Sequence, residues 1–287
     1  MGGNEYAGIS EGMIRLGSFV AIFGLMGLWE LLAPARDRSL PRLRRWPNNL
    51  ALAALNVASV RVLFPAAGVG LAVMAEAQGA GLLRLPDLPY WLAVLAGVVV
   101  LDLAIYLQHL LFHAVPALWR LHRVHHADPD FDVTTALRFH PVEILLSIFI
   151  KAAVIFAFGP PVLAVLIFEV VLNGASVFNH ANVRLPPRIE RILRWLVVTP
   201  DMHRVHHSKD MQETNSNYGF NLSIWDRLFG TYRAQPALGH EGMRIGVSGL
   251  ENPKSSVRLL GLLAQPFQHP RDLIESAERP REHAIGS

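Results

Sequence analysis

Apolar residues in this chain gather into long blocks rather than alternating at a short period. The blocks cover 16–35, 50–74 and 90–115, followed by two shorter ones at 142–158 and 162–178. The first three approach the ~20 residues that a helix needs to cross a bilayer. The last two are joined by Gly159-Pro160-Pro161, a strong turn signal, and read as a helical hairpin that spans a thin core or dips into it. A hairpin buried in a soluble core is the alternative. Arg61 and Pro65 interrupt the second block and suggest an interfacial break there. After His180 the chain is polar or mixed. The pattern predicts an all-α integral membrane helical bundle, with about three spanning helices plus the hairpin, under a His-rich helical cap. It divides the chain into an N-terminal transmembrane region (1–90), a central domain (91–235) and a C-terminal tail (236–287).

Charge gives the bundle a direction. Residues 36–45 hold five arginines, whereas 76–89 hold one Arg and two acids. Positive residues in short loops stay cytoplasmic. The arginine loop is therefore placed inside, 76–89 outside, and the third block returns inward. A complete hairpin brings the chain back to the same side, so 116–140 and everything after His180 meet on one cytoplasmic face. This places the protein as a multi-pass component of a bacterial-type inner membrane. Met1–Gly12 lacks the basic stretch of a cleaved signal peptide, so the first block is read as retained. Lys151 and Glu169 flank the hairpin turn at similar depth, where they either pair or face their surroundings separately.

Composition narrows the classes. Of the 287 residues 52% are hydrophobic and 17% charged, against roughly 25% charged in a soluble domain; a disordered chain and a coiled coil are excluded. A net charge of +3 gives no ground for a nucleic-acid partner. With Cys 0, disulfides, thiolate-bound clusters and zinc ribbons are impossible.

The thirteen histidines carry the chemistry, and ten lie between His109 and His207. In the third block Asp102, Tyr106, His109 and His113 fall within about 60° of one another on a helix, as one polar stripe at its inner end. His109 and His113, four apart, can reach one metal. The pentapeptide His-Arg-Val-His-His occurs twice, as His122, His125, His126 and as His203, His206, His207, with all three imidazoles of each on one helical face. Three neutral imidazoles suit a divalent iron, zinc or copper. His180 ends the hairpin and is placed as a ninth ligand. His140, before Pro141 and Glu143, is read as a neighbour of the metal or a helix cap. Glu143 and Asp102 can orient ligating rings by accepting their second N–H. His240, His269 and His283 read as ordinary polar-tail residues. Nine imidazoles exceed the needs of one ion and suit two with four or five ligands each.

These residues resemble the membrane fatty acid hydroxylase / sterol desaturase superfamily, the histidine-box di-iron enzymes. The resemblance rests on His109-x3-His113, His122-x2-His125-His126 and His203-x2-His206-His207. It is strengthened by Asp102-x3-Tyr106-x2-His109, Phe139-His140-Pro141-x-Glu143, Asn217-Tyr218-Gly219 and Trp225-Asp-Arg-Leu-Phe-Gly-Thr231, and covers roughly 95–235. It implies that 91–235 is the catalytic domain, that two Fe ions are held by the eight box histidines and His180, and that O2 is used to hydroxylate or desaturate a lipid C–H bond, a reaction beyond any protein side chain. Where the family often places a further His four residues before His180, this chain has Ser176. The resemblance also implies a lipid substrate drawn from the bilayer and a separate electron donor, either a redox protein or a reduced pterin. An alkylglycerol-type ether lipid monooxygenase is the closest alternative. A zinc-dependent membrane hydrolase is more remote, since no HExxH places a base among the histidines, and a membrane cytochrome would need single facing histidines rather than triplets.

Overall fold

The computed structural model describes residues 3–84, 87–250 and 252–268, with side chains from Glu11 onward except that of Pro253. His269 and His283 lie outside the described residues. Nine helices organise the fold: α1 Gly3–Leu32, α2 Arg42–Leu63, α3 Val69–Ala77, α4 Tyr90–Ala114, α5 Pro116–His126, α6 Pro141–Phe158, α7 Val162–His180, α8 Pro187–Leu193 and α9 Pro200–His206. Shorter turns complete the cap, among them Met211–Thr214, Ile224–Leu228 and Leu259–Ala264. No strand forms among the described residues; two isolated antiparallel bridges join Val197 to Leu222 and Ser208 to Ile245.

Four helices are long and apolar enough to cross a membrane: Glu11–Leu32, α4, α6 and α7. Their outward side chains are apolar, as at Leu16, Leu25, Trp91, Leu95, Phe149 and Val171. Water does not drive such helices together within a bilayer, so close packing must hold them. Gly97 and Gly174 supply it. A Cβ on Gly97 would sit 2.8 Å from Pro160 Cβ, and one on Gly174 2.7 Å from Ile22 Cδ1. The hairpin turn is capped by Gly159 in the left-handed conformation (φ 60°) and packs against Ala80 and Gly81 of the 76–89 loop.

The second block is not one helix. α2 ends at Leu63, Gly68 turns the chain at φ 77°, and α3 restarts at Val69. Pro65, with no N–H to continue the ladder, accounts for the stop. A Cβ on Gly68 would meet the Glu169 carboxylate at 2.6 Å, so that turn fits only glycine. The first two-thirds of α2 belong to the cap: Arg45 and Asn49 bond Asp128, and Asn56 donates to the Phe139 carbonyl at 2.8 Å.

Arginine loop, His-rich stretches and C-terminal segment meet at one end of the bundle, as the charge pattern predicts. Arg45 sits at the centre, fully buried. It donates from Nε and one Nη to the two oxygens of Asp128 (2.6 and 2.7 Å) and from the other Nη to Asp132 (2.7 Å). Burial works against the Arg45 charge, yet the two carboxylates hold its pKa above the usual value. Burial alone would raise Asp128, but Arg45 and Arg138 overcome it and keep the carboxyl below its usual range. Glu30, a charge inside the first block, accepts the backbone N–H of Val133 and of Asn182 (3.1 Å each) and so fastens α1 to the cap. Residues 256–265 clamp the other side: Arg138 donates to the Ser256 carbonyl and Arg123 to that of Gln265 at 2.6 Å.

Candidate metal centre

α5 and α9 are built alike. Each begins with a proline in its first turn, and Thr199 caps α9 by accepting the Met202 N–H. Each presents His-Arg-Val-His-His near its end. The arginines point away, Arg123 to Gln265 and Arg204 to Asp201 and the Val183 carbonyl. The valines are fully buried.

The nine candidate ligands form two groups, His109, His113, His122, His126, His206 and His125, His180, His203, His207, with ligand nitrogens within 4.8 Å of one another in each. Each pentapeptide is divided between them. Its first and fifth residues enter one group and its fourth crosses to the other. At ~100° per residue the fifth position lies about 40° to one side of the first and the fourth about 60° to the other. The second copy does the reverse of the first, so the two helices supply matching halves. The groups adjoin where His126 and His207 stack, centroids 4.4 Å apart.

Five rings are anchored by Nδ1. His109 donates to the Tyr218 carbonyl (2.7 Å), His206 to that of Ser216 (2.7 Å) and His180 to that of Ser176 (2.7 Å). His122 donates to Glu143 (2.6 Å) and His113 to Asn215 Oδ1 (3.2 Å). A neutral imidazole with its proton on Nδ1 carries a lone pair on Nε2. The lone pairs of His109 and His122 face one another, Nε2 to Nε2 at 3.0 Å, and that of His180 points at the Nε2 atoms of His125 (3.1 Å) and His203 (3.0 Å). In addition His113 Nε2, His206 Nε2 and both ring nitrogens of His126 and His207 are buried without a hydrogen-bond partner. Converging lone pairs repel unless a cation lies among them, so both groups fit a metal. Burial pushes His122 down to about 3 and holds His125, His126, His203, His206 and His207 well below 6.5, which keeps them in the neutral, ligating form.

The supporting residues divide. Glu143 lies against a ring of the cluster, its carboxylate at 2.6 Å from His122 Nδ1. Asp102 does not orient a histidine: its carboxylate accepts from Asn221 (2.8 Å), the Leu222 N–H (3.3 Å) and Trp225 Nε1 (2.7 Å). It lies about two turns along the helix from His109, and its oxygens are taken by the 221–225 segment. Tyr106 bonds Thr231 at 2.8 Å and stacks on Phe229, so it too secures that segment rather than a ring. His140 caps α6, accepting the Val142 N–H at Nδ1 and donating from Nε2 to the Leu263 carbonyl; it is in neither group. Asn217 touches no ring through its side chain, which bonds Met202, Arg233 and their neighbourhood. It matters through its backbone: at φ 53° it turns the chain so that Ser216 and Tyr218, on either side, aim their carbonyls at His206 and His109. His240 lies near Asp201, outside both groups.

A cavity of about 700 Å³ begins at His109 and His122. Its walls are Phe112, Ile144, Ile148 and Leu172, and it extends to Lys151, Glu169 and Arg15. Lys151 and Glu169 do pair, at 2.9 Å.

Residues 94–231 match the sequence profile of the fatty acid hydroxylase family. Over 274 residues the chain is 30% identical to the ornithine lipid hydroxylase OlsE of Rhizobium tropici, covering 92% of this chain and 78% of that one. It is 33% identical over 157 residues to the alkylglycerol monooxygenase of Homo sapiens, covering 53% of this chain but only 34% of that protein. It is 30% identical over 195 residues to the cholesterol 25-hydroxylase of Rattus norvegicus, covering 62% and 63%. No solved structure matches the chain significantly.

Proposed function

The chain belongs to the fatty acid hydroxylase family, and on that premise we propose that it is a membrane-embedded di-iron oxidoreductase that uses O2 to hydroxylate or desaturate a lipid C–H bond. The observation that carries this is the pair of adjoining groups of buried, neutral imidazoles at the end of a largely apolar cavity. Nine histidines without a ligating carboxylate match two ions, five donors for one and four for the other. Bound iron would supply the oxidising power that no side chain has; in a hydroxylation one oxygen atom enters the C–H bond and the other leaves as water, with two electrons from a separate redox protein or reduced pterin and two protons from solvent.

The chain's own residues do the positioning. Glu143 and the carbonyls of Ser216, Tyr218 and Ser176 fix which nitrogen of each ring is free to ligate. Phe112, Ile144 and Ile148 line the approach and exclude water from the reacting bond. Ser176, where a tenth imidazole would complete the symmetry of the two groups, also lines the cavity, and the four-histidine group has one donor fewer than its neighbour.

An ether lipid monooxygenase reading is favoured by the likeness to alkylglycerol monooxygenases, which extends over about half of the chain. A zinc hydrolase would need a free carboxylate base among the rings, and Glu143 is already engaged with His122. We place the cap in the cytoplasm of a bacterial-type inner membrane, because the five-arginine loop lies on its side. Protease added to that side of sealed vesicles should cut within the exposed loop around Gln235; protection there would reverse the orientation.

Lipidomics of a deletion strain against a complemented one tests the activity. Complementation should restore lipids heavier by one oxygen atom or lighter by two hydrogens. Identical lipid profiles from the two strains would overturn the proposal.

A further inference from the structure

The far end of the cavity is charged, which a site for a purely apolar chain does not need. Arg15 from α1, Arg61 from α2 and Lys151 from α6 line it, against two carboxylates, Glu11 and Glu169. Lys151 and Arg15 share Glu169, at 2.9 and 3.1 Å. Arg15 also meets Glu11 at 3.2 Å, and Arg61 makes no ion pair among the described residues. Cations therefore exceed carboxylates by one. Gln108 Oε1, elsewhere in the cavity lining, is buried without a hydrogen-bond partner.

Ionisable groups inside membrane segments are costly, and an isolated ion pair is a poor way to stabilise a helix contact. Three helices bring one positive charge more than the carboxylates balance to this end of the cavity, while the third lining carboxylate, Glu143, is engaged with His122 at the other end, and that separation points instead to a ligand. We propose that this end of the cavity binds the oxyanion of a lipid head, a carboxylate or a phosphate, while its hydrocarbon chain runs past Ile148 and Ile144 to the rings of His109 and His122. Lys151 lies eight residues from Glu143 along α6, about 12 Å. The cluster thus acts as a ruler, fixing how far from the charged head the oxidised carbon lies. This rests on the reading of the cavity as a lipid site but not on iron or oxygen chemistry.

The test is equilibrium binding of hexadecanoate, hexadecyl phosphate and hexadecanol to the detergent-solubilised full chain. The three probes share a chain length and differ in their heads. At least one anion should bind roughly tenfold more tightly than the alcohol, and which one does so identifies the head. Lys151→Gln and Arg61→Gln should each remove most of that preference by weakening the anions far more than hexadecanol, and Lys151→Arg should keep it. Arg61 is exposed, so its variant reports on binding even if Lys151→Gln misfolds. Equal binding of all three lipids, or a preference intact in both glutamine variants, would overturn the proposal. Should the anion preference hold in a protein that oxidises nothing, only the catalytic reading fails.

Discussion

Replacing His206 by alanine is expected to remove metal and lipid oxidation together. The ring is fully buried, its Nδ1 is fixed on the Ser216 carbonyl, and its Nε2 faces the other four members of its group. The substitution deletes a donor that no neighbour can replace. Loss of a residue that merely orients a ligand already costs about 10–100-fold in metal affinity or activity, so loss of a donor should exceed that. Iron bound per purified chain should fall in step with product formed. His140→Ala is the contrast. It removes a helix cap at a cost of about 1 kcal/mol, but His140 belongs to neither group, so metal should stay. Full activity in His206→Ala would mean that the ligand set is wrong.

The second large effect is expected far from any ligand. Arg45→Met should destabilise the cap by about 3–5 kcal/mol, because it leaves the buried Asp132 without its cation and the buried Asp128 with Arg138 alone. In a chain of this size that lowers the thermal midpoint by roughly 10 °C. Metal should be lost as well, because Asp128 follows α5 directly and Arg45 ties that helix end to α2. A midpoint in detergent within a degree or two of wild type would show that the network holds nothing in place.

The two cases mark what the sequence makes legible. The ligands are legible because their chemistry is local: spacings of three and four on a helix bring donors together whatever packs around them, and the repeated pentapeptide declares itself. The crossing of the fourth residue into the opposite group was equally readable from its angular offset, although treating each triplet as one face conceals it. The hairpin turn follows from Gly159-Pro160-Pro161, and the symmetry of residue numbers about it puts Lys151 and Glu169 at one depth, but only the fold shows that they pair. What the sequence hides is long-range. Helical phase puts Asp102 on the stripe of His109, but nothing in that phase says that Trp225 and Asn221, more than a hundred residues later, occupy its carboxylate. Glu30 looks like a flaw in an apolar block until Val133 and Asn182 bring their N–H groups to it. Arg45 reads as one of five loop arginines, and only the fold shows it buried among carboxylates. Asn217 offered a motif but not its role, which lies in a backbone angle that aims two carbonyls.

The central claim, that these imidazoles hold two irons, is tested most directly by elemental analysis of the wild-type protein purified in detergent under iron-replete conditions. Close to two irons per chain are expected, dropping in His206→Ala. Zinc in place of iron, with no O2 consumed when lipid and reductant are supplied, would contradict it.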